Sequence, residues 1–458
     1  MMTKTEFTQS RFHMLTINDM VPETHLLRKI HSLVDFSFVY EQLEGAYCMR
    51  NGRPSIDPVV LIKMLLIGFL YGIPSERRIV EEVQVNMAYR WFLGLDIFDK
   101  VPDHSTISQN RRRRFNGTVL FRTFFEQIVQ QCIDRGLVDG KLILTDSTHV
   151  KANASRKSEY KKTIKALAYD YIKELDHYET EERIALETKG LIPKAKKKNV
   201  SREKYKTETI TCSKTDPDSG YYKRKGKPLG MHYLSHETVD ASKGIIIDVH
   251  TTPGNVPDSK PYIERIDHIR DTIGIRIESA CADSSYDAGL IHQQLYERGI
   301  DFFTPEPTEQ KRGTAFFQKD SFTYDEKHDC YICPAGKKLS LARLQRTPGL
   351  VARQYQSDKC DCHCCKYKDK CLTKSTPYRR LNISIFHNIK QRHHQKDGTI
   401  QHKTVMDKRQ IWCEGTFAAQ KSRHNLRFLY RRGIKAAEDH CLMSATALNI
   451  KRMVNNLA

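Results

Sequence analysis

The stretch Lys141-Leu142-Ile143-Leu144-Thr145-Asp146 decides the fold class of this chain. A short apolar run that begins after Gly140 and ends at an acidic residue predicts a buried strand. Further strands are predicted at 231–238, 244–251, 277–282 and 301–304, and a helical pattern covers 286–298. This alternation of strands and helices predicts an α/β fold whose sheet is flanked by helices.

The region before this strand, residues 1–125, has a helical pattern throughout. Asp57-Pro58 and Asp103 are typical helix starts, because an aspartate caps the free N–H groups and a proline fits the first turn. The third helix runs into Arg111-Arg112-Arg113-Arg114. Short helices with a terminal arginine run favour a DNA-binding domain related to the helix-turn-helix. The alternative is a small bundle whose arginines are only solvated.

The predicted catalytic core is interrupted twice. Its first part, 140–325, contains a basic insertion over 153–227, with a polar helix at 161–182. Basic runs at 194–198 and 222–225 are either solvated or contact phosphates. A cysteine-rich insertion at 326–375 separates this part from the second, 376–458, which carries helices at 410–422 and 436–455.

Composition indicates the kind of partner. The chain has 458 residues, with 75 Lys and Arg against 55 Asp and Glu, a formal charge of +20. This excess favours a polyanionic partner, above all nucleic acid. The longest apolar run, 59–71, contains Lys63 and is shorter than the ~20 residues that span a bilayer. With no secretory signal at the N-terminus, we expect a cytoplasmic protein without membrane contact.

Three carboxylates stand in contexts that suit catalysis: Asp146 after the first strand, Asp283 after the strand at 277–282, and Glu414 on a later helix. Phosphodiester chemistry needs an activated attacking oxygen and a stabilised leaving oxygen, and two divalent cations supply both. Mg²⁺ and Mn²⁺ prefer carboxylate oxygens. Alone, each aspartate is more simply a turn former. By the same reasoning, Asp287 is predicted to cap a helix and Asp258 to belong to a structural turn.

These motifs together resemble those of DDE transposases from bacterial insertion sequences. The resemblance rests on segments spread over nearly the whole chain: 52–58, 75–77, 91–95, 101–106, 145–149, 251–258, 282–287, 414–417, Lys421 and 431–433. It implies an RNase H-like catalytic domain in which Asp146, Asp283 and Glu414 bind two Mg²⁺ (or Mn²⁺) ions. It also implies hydrolysis at transposon ends, strand transfer into double-stranded target DNA, and assembly on paired ends, for which we expect a homodimer close to the nucleoid.

The helix that carries the glutamate has a further signature in related transposases: Tyr, two residues, Arg, three residues, Glu, six residues, Lys. Glu414 and Lys421 fit this spacing. Gln410 and Asp407 occupy the arginine and tyrosine positions, and the nearest arginine, Arg409, lies one residue too early. Lys421 and Arg409 are therefore expected to contact DNA, with the role of Arg409 the less well defined.

Seven cysteines lie between Cys330 and Cys371. Pairs of closely spaced cysteines on turns suit a closed tetrahedral zinc site, although an iron–sulfur cluster or free thiols are alternatives. Composition alone pairs Cys330 with Cys333. The family resemblance instead implies the quartet Cys333, Cys362, Cys365 and Cys371.

Two functions other than transposition fit the same features. One is a DNA-binding regulator of transposase descent that no longer cuts DNA. The other is a stand-alone RNase H-like nuclease, which would hydrolyse DNA without joining it. Retention of all three carboxylates favours an enzyme over the regulator.

Overall fold

The computed structural model describes residues 15–47, 55–115, 118–166, 169–193, 206–224, 226, 228–305, 316–347, 350–373 and 375–457. The basic run at 194–198 and the motif residues 52–54 lie outside this part of the chain.

The N-terminal region is helical, as predicted. Its helices are α1 (Ile17–Met20), α2 (Leu26–Leu33), α3 (Phe38–Leu43), α4 (Pro58–Leu70), α5 (Glu76–Val85), α6 (Met87–Leu93), α7 (His104–Asn110) and α8 (Leu120–Asp134), with a 3-10 turn at Glu44–Ala46 and a π-helical turn at Arg111–Phe115. Asp57 and Asp103 cap α4 and α7 through their side chains. The apolar helix α4 is buried on nearly every face, which explains its sequence.

The central sheet has six strands: β1 (Leu142–Lys151), β4 (Gly220–Tyr222), β5 (Gly230–Asp240), β6 (Ile246–Pro253), β7 (Ser279–Cys281) and β8 (Asp301–Phe303). Strand β5 pairs antiparallel with β1, β6 and β4, whereas β7 is parallel to both β1 and β8. The order β6-β5-β1-β7-β8, antiparallel on one side and parallel on the other, confirms the predicted mixed, RNase H-like sheet. Helices α10 (Tyr262–His268), followed by a π-helical turn at Ile269–Ile273, and α11 (Gly289–Glu297) connect its parallel strands.

Strand β1 does not end at Asp146, as the sequence had suggested, but continues to Lys151. Its second half pairs residue by residue with the first half of β5, from Asp146↔Glu237 to Lys151↔His232. An acidic residue after an apolar run predicts the end of a strand. Here the antiparallel hydrogen bonding between β1 and β5 continues beyond Asp146.

The insertion after β1 contains more strand than predicted. A 3-10 turn at Arg156–Ser158 leads into β2 (Glu159–Ala166), which pairs antiparallel with β3 (Lys206–Ser213). The polar helix α9 runs over Tyr169–Thr188, so the expected helix at 161–182 was wrong in its first residues. The aromatic and β-branched residues Tyr160, Thr163 and Ile164 favour a strand over a helix in this segment.

The cysteine-rich region forms its own sheet. It contains β9 (Thr323–Asp325), β10 (Cys330–Ile332), β11 (Lys338–Thr347), β12 (Leu350–Ser357) and β13 (Arg380–Ser384), with a 3-10 turn at Lys319–Ser321 and short helices α12 (Lys359–His363) and α13 (Lys368–Cys371). All neighbouring strands are antiparallel. The unit spans 323–384 and so extends beyond the predicted bounds of 326 and 375.

The chain returns to the central sheet through α14 (His387–His394), α15 (Ile400–Arg409), a π-helical turn (Gln410–Glu414), α16 (Gly415–Arg423) and α17 (Ile434–Leu457). Helix α17 is buried over most of its length and packs on α8, α4 and β6. The Asn449 side chain bonds both backbone polar groups of Ile246, which pins α17 to the sheet. Within the described residues, no helix combines the length and apolar character needed to cross a membrane.

Candidate active site

Two of the predicted carboxylates occupy matching positions on neighbouring strands. In the parallel pair of β1 and β7, Leu144 lies opposite Cys281. Asp146 and Asp283 each follow two residues later, Asp283 just beyond the end of β7, and the charge of Asp283 acts on the Asp146 carboxylate. Adjacent strands lie ~4.8 Å apart. The fold therefore brings together two carboxylates separated by 137 residues of sequence.

Asp146 is largely buried, with 18% of its side chain exposed. Its Oδ2 atom accepts a hydrogen bond of 2.7 Å from Nη2 of Arg409. Burial nevertheless raises the pKa of Asp146 to about 6. The charge of Arg409 lowers this pKa, whereas the charges of Asp283 and Asp258 raise it further. The charged form of Asp146 is thus disfavoured chiefly by its burial, and a bound cation would stabilise that form.

Asp283 ends its strand in a turn. Its Oδ1 atom accepts hydrogen bonds from the backbone N–H of Ser285 (2.8 Å) and from the Ser285 hydroxyl (2.5 Å). The carboxylate caps the 3-10 turn Ser284–Tyr286. Both bonds use Oδ1, and they fix the orientation of the carboxylate beside Asp146.

Glu237 is a third acidic residue in this row, which the sequence analysis did not identify. It lies directly opposite Asp146 on β5 and is 1% exposed. Ser235 and Gln420 donate hydrogen bonds of 3.0 and 2.8 Å to its two oxygens. Burial raises the pKa of Glu237 to about 7 despite these bonds. Both oxygens are engaged, so Glu237 connects α16 to the sheet and is a positioning residue.

Asp258 is also part of this neighbourhood, although the sequence suggested only a structural turn. It is 4% exposed and forms a bidentate ion pair with Arg224, with both N–O distances at 2.7 Å. Its charge adds to the raised pKa of Asp146. The carboxylate of Asp258 is thus held by Arg224, and its charge acts on Asp146 from a buried position.

Glu414 lies at the end of the π-helical turn between α15 and α16. Its side chain is exposed, and it has no hydrogen bond or ion pair within the described part of the chain. The preceding residue, Cys413, is buried in a small apolar cluster with Leu144 and Cys281, the residues that pair beneath the two aspartates. The Glu414 backbone is therefore anchored beside the row of carboxylates while its side chain stays available.

The π-helical turn explains the irregular spacing of Arg409. In an α-helix of 3.6 residues per turn, residues five apart point to different sides. A π-helical turn bonds residue i to i+5, which stacks such residues. Arg409 directly precedes this turn and Glu414 ends it. The π-helical turn thus accommodates the one residue by which their spacing exceeds that of the family signature, and Arg409 reaches Asp146. The structure thus places Arg409 on a candidate catalytic carboxylate; its contact with DNA remains a prediction.

Trp412 fixes this turn against the sheet. Its ring packs on Gly244, where a Cβ atom would overlap the indole, and Gly244 has a φ of +74°. The guanidinium of Arg452, a residue of α17, lies 5.4 Å from the centroid of the Trp412 ring. The turn after β5 therefore requires glycine both for its backbone conformation and for contact with the helix that carries Glu414.

The remaining predicted DNA-binding residues differ in their surroundings. Lys421 is half-buried near Glu237 and His232. Burial is the main influence on these two groups, raising the pKa of Glu237 and lowering that of His232, and the charge of Lys421 lowers the pKa of both. Arg111 forms a 2.6 Å ion pair with Glu76. Arg114 donates to Asn110 and stacks on Tyr47. These two arginines hold the helical domain together, while Arg112 and Arg113 are exposed.

The cysteine quartet implied by the family resemblance lies around one cavity of the second unit, but its sulfur atoms do not form a group of three or more within 4.8 Å of one another in the described residues. Cys333, Cys362, Cys365 and Cys371 line one small cavity. Backbone N–H groups of Lys337 and Tyr367 donate to the sulfurs of Cys333 (3.3 Å) and Cys365 (3.4 Å). Burial, reinforced by the other three thiols of the quartet, raises the pKa of Cys371. Cys330, the partner suggested by composition, is instead buried within strand β10.

Two family models match the chain. A transposase domain (DUF772) matches residues 15–113 and a transposase DDE domain matches residues 332–454. The second match contains Glu414, Lys421 and the cysteine quartet, whereas Asp146 and Asp283 precede it. No match was found among curated proteins.

Solved structures were compared as well. The piggyBac transposase synaptic complex with hairpin DNA is 9% identical, with a TM-score of 0.38 over 94% of this chain and 75% of that one. The Mos1 transposase paired-end complex with left transposon end is 9% identical, with a TM-score of 0.16 over 57% of this chain and 64% of that one. At these values, the likeness defines no residue equivalences.

The chain thus combines a helical N-terminal region with an RNase H-like sheet in which Asp146 lies on β1 and Asp283 just after the neighbouring β7. The two family matches confirm the resemblance found in the sequence: the chain contains an N-terminal transposase domain and a transposase DDE domain.

Proposed function

We propose that this transposase cleaves and joins DNA at the ends of a bacterial insertion sequence, with Asp146, Asp283 and Glu414 as its catalytic carboxylates. The observation that carries the proposal is that Asp146 and Asp283 each follow a paired residue of the neighbouring strands β1 and β7 by two positions, with the charge of Asp283 acting on Asp146. Glu414 is exposed on a helix anchored next to them. The basic chain, with its charge of +20, suits double-stranded DNA as the partner.

The donor set fits two Mg²⁺ or Mn²⁺ ions. Asp146 has a raised pKa because its charge is buried and incompletely compensated, and Asp283 adds to that charge. All the donors are hard carboxylate oxygens, which these ions prefer. When bound, the ions activate the attacking oxygen and stabilise the leaving oxygen of the phosphodiester.

The protein's own groups orient this chemistry. Arg409 holds Asp146, and the Ser285 N–H and hydroxyl hold Asp283. Glu237 connects Gln420 to the sheet and so sets the position of α16, which carries Lys421 and directly follows Glu414. Lys421 lies two helical turns from Glu414, where its ammonium is suited to a DNA phosphate.

Two further parts of the proposal concern the rest of the molecule. Exposed Arg112 and Arg113 on the helical domain contact the DNA backbone, and two copies of the chain assemble on paired ends at the nucleoid. The quartet of Cys333, Cys362, Cys365 and Cys371 binds a structural Zn²⁺ ion, because four thiols surround one cavity and two accept backbone N–H bonds.

A strand-transfer assay tests the catalytic proposal. A pre-cleaved DNA end taken from the sequence flanking the gene is incubated with the protein, Mg²⁺ and a target plasmid. We expect joined product with the unmodified chain. We also expect its loss in Asp146→Asn, Asp283→Asn and Glu414→Gln, with DNA binding retained. Asp271→Asn and Glu81→Gln alter exposed carboxylates elsewhere and serve as matched controls.

The two alternative functions give different results. Nicking without joining would identify a nuclease, and binding with neither product would identify a regulator. Full strand transfer by any one of the three carboxylate variants would remove that residue from the proposed triad.

A further inference from the structure

A second cluster of metal-ligating side chains lies beside the candidate active site. Asp287, four residues after Asp283, was predicted to cap a helix, but its carboxylate contacts two histidines. Its Oδ1 atom lies 2.8 Å from Nε2 of His292 on α11 and 3.2 Å from Nε2 of His394 on α14. These three ligand atoms lie within 4.8 Å of one another. The cap prediction for Asp287 was therefore wrong.

We propose that Asp287, His292 and His394 form a zinc-binding site that joins α11 of the catalytic core to α14, the first helix after the cysteine-rich unit. Zinc bonds of 2.0–2.2 Å to nitrogen and oxygen place the ligands of a tetrahedral ion ~3.3 Å apart. The observed separations of 2.8 and 3.2 Å need only a small opening to admit the ion. Two imidazoles and a carboxylate form a borderline donor set that zinc accepts.

The surrounding contacts are those of a metal-binding histidine pair. A ligating imidazole usually donates its second N–H to a carboxylate or another acceptor, which fixes its tautomer. Nδ1 of His394 lies 2.7 Å from Oδ2 of Asp397, and Nδ1 of His292 lies 2.8 Å from Nδ1 of His393. Both imidazoles therefore turn Nε2 towards Asp287 while Nδ1 has a partner.

Burial and charge also suit a bound cation. The side chains of His292, Asp287 and His394 are 0%, 13% and 17% exposed. Lys390 contacts the other carboxylate oxygen of Asp287, Oδ2, at 2.6 Å and leaves Oδ1 to the histidines. Asp287 and Asp397 together carry two negative charges against the one of Lys390. Protonation of His394 competes with zinc. A doubly protonated imidazole would donate from Nε2 to Asp287 and from Nδ1 to Asp397.

The position of the cluster suggests its role. Helix α11 follows the turn of Asp283, and α14 is the first helix after the second sheet and precedes the helices that lead to Glu414. Zinc bound here would connect the Asp283 side of the site to the segment that brings Glu414 to it. This inference concerns residues outside the proposed catalytic triad and does not depend on DNA cleavage.

The test separates this site from the cysteine quartet. The full-length chain is loaded with Zn²⁺, exchanged into excess Mg²⁺ to occupy hard sites, and its zinc content is measured. We expect about two zinc ions per chain, one for each site. Cys333→Ser/Cys362→Ser should retain about one, and its X-ray absorption spectrum should show only nitrogen or oxygen neighbours at ~2.0–2.1 Å, without sulfur at ~2.3 Å.

Substitution of the histidines completes the experiment. His394→Gln, which keeps hydrogen-bonding capacity, and His292→Ala should each lower the zinc content of the otherwise unmodified chain by about one ion. His177→Ala, at an exposed histidine of α9, should not change it. The unmodified chain supplies the measurement if the cysteine variant does not fold. A single, all-sulfur zinc ion, or a zinc content unchanged by His394→Gln, would overturn the proposal.

Discussion

Replacing Asp146 by asparagine should stabilise the metal-free protein at neutral pH while abolishing strand transfer. The ordinary pKa of 3.8 rises to about 6 in the folded chain, chiefly through burial. The folded state therefore holds the proton to a higher pH than the unfolded state. The free energy of unfolding must fall as the pH rises from about 3.8 to about 6, and this loss is complete above that range. Asparagine has no charge to bury, so the free energy of unfolding of the variant does not fall over this pH range.

The size of the effect follows from the pKa. Each unit of pKa corresponds to ~1.4 kcal/mol, so a rise of about two units sets an upper bound on the order of 3 kcal/mol at pH 7.5. Arg409 loses its ionic partner in the variant, but that attraction already enters the pKa of Asp146. We therefore expect a gain of ~1–3 kcal/mol, seen as a melting temperature higher by a few degrees.

The assay is thermal unfolding in EDTA at pH 7.5 and at pH 4. The gain should be present at pH 7.5 and much smaller at pH 4, where Asp146 is protonated in the folded protein. Asp271→Asn, which removes an exposed carboxylate paired with Arg270, should show no gain. Mg²⁺ should then stabilise the unmodified chain more than the variant. A melting temperature of Asp146→Asn equal to or below that of the unmodified chain at pH 7.5 would refute the reasoning.

Three other substitutions test the supports of the site. Gly244→Ala should destabilise the protein by ~2 kcal/mol or more and reduce strand transfer, because the new Cβ meets Trp412 at a positive φ; unchanged unfolding would contradict this packing. Glu237→Gln should change stability little at pH 7, where its carboxyl is partly protonated, whereas Glu237→Ala should cost ~2–4 kcal/mol for lost hydrogen bonds and a cavity; equal melting temperatures would argue against a positioning role. Cys365→Ser should release zinc from the cysteine-rich unit and lower the unfolding temperature of that unit; zinc content equal to that of the unmodified chain would remove Cys365 from the quartet.

Much of the fold was predictable because the decisive patterns are local. The apolar run before Asp146, the helix caps at Asp57 and Asp103, and the strand-to-helix alternation all appear where expected. The approach of Asp146 to Asp283 could also be anticipated, since the sequence places both after buried apolar runs, although β1 in fact continues past Asp146. The exact register, with Leu144 opposite Cys281, came only from the structure.

The features that escaped prediction depend on contacts between distant segments. Glu237 sits in a strand that is buried on both faces and mixes polar with apolar residues, so hydrophobic alternation gives no sign of it, and its partner Gln420 lies 183 residues away. The π-helical turn that brings Arg409 to Asp146 has no reliable sequence pattern. Asp287 looked like a helix cap because its histidine partner on α14 lies 107 residues further along the chain.

The most direct test of the central claim is a change of metal specificity at the carboxylates. Asp146→Cys and Asp283→Cys replace a hard oxygen by a softer sulfur, which binds Mn²⁺ better than Mg²⁺. Strand transfer by each variant is measured with either ion, and Asp271→Cys serves as the control. If these residues bind the catalytic ions, both variants will be inactive with Mg²⁺ and regain activity with Mn²⁺. Equal activity with the two ions in either variant would contradict direct metal binding by that residue.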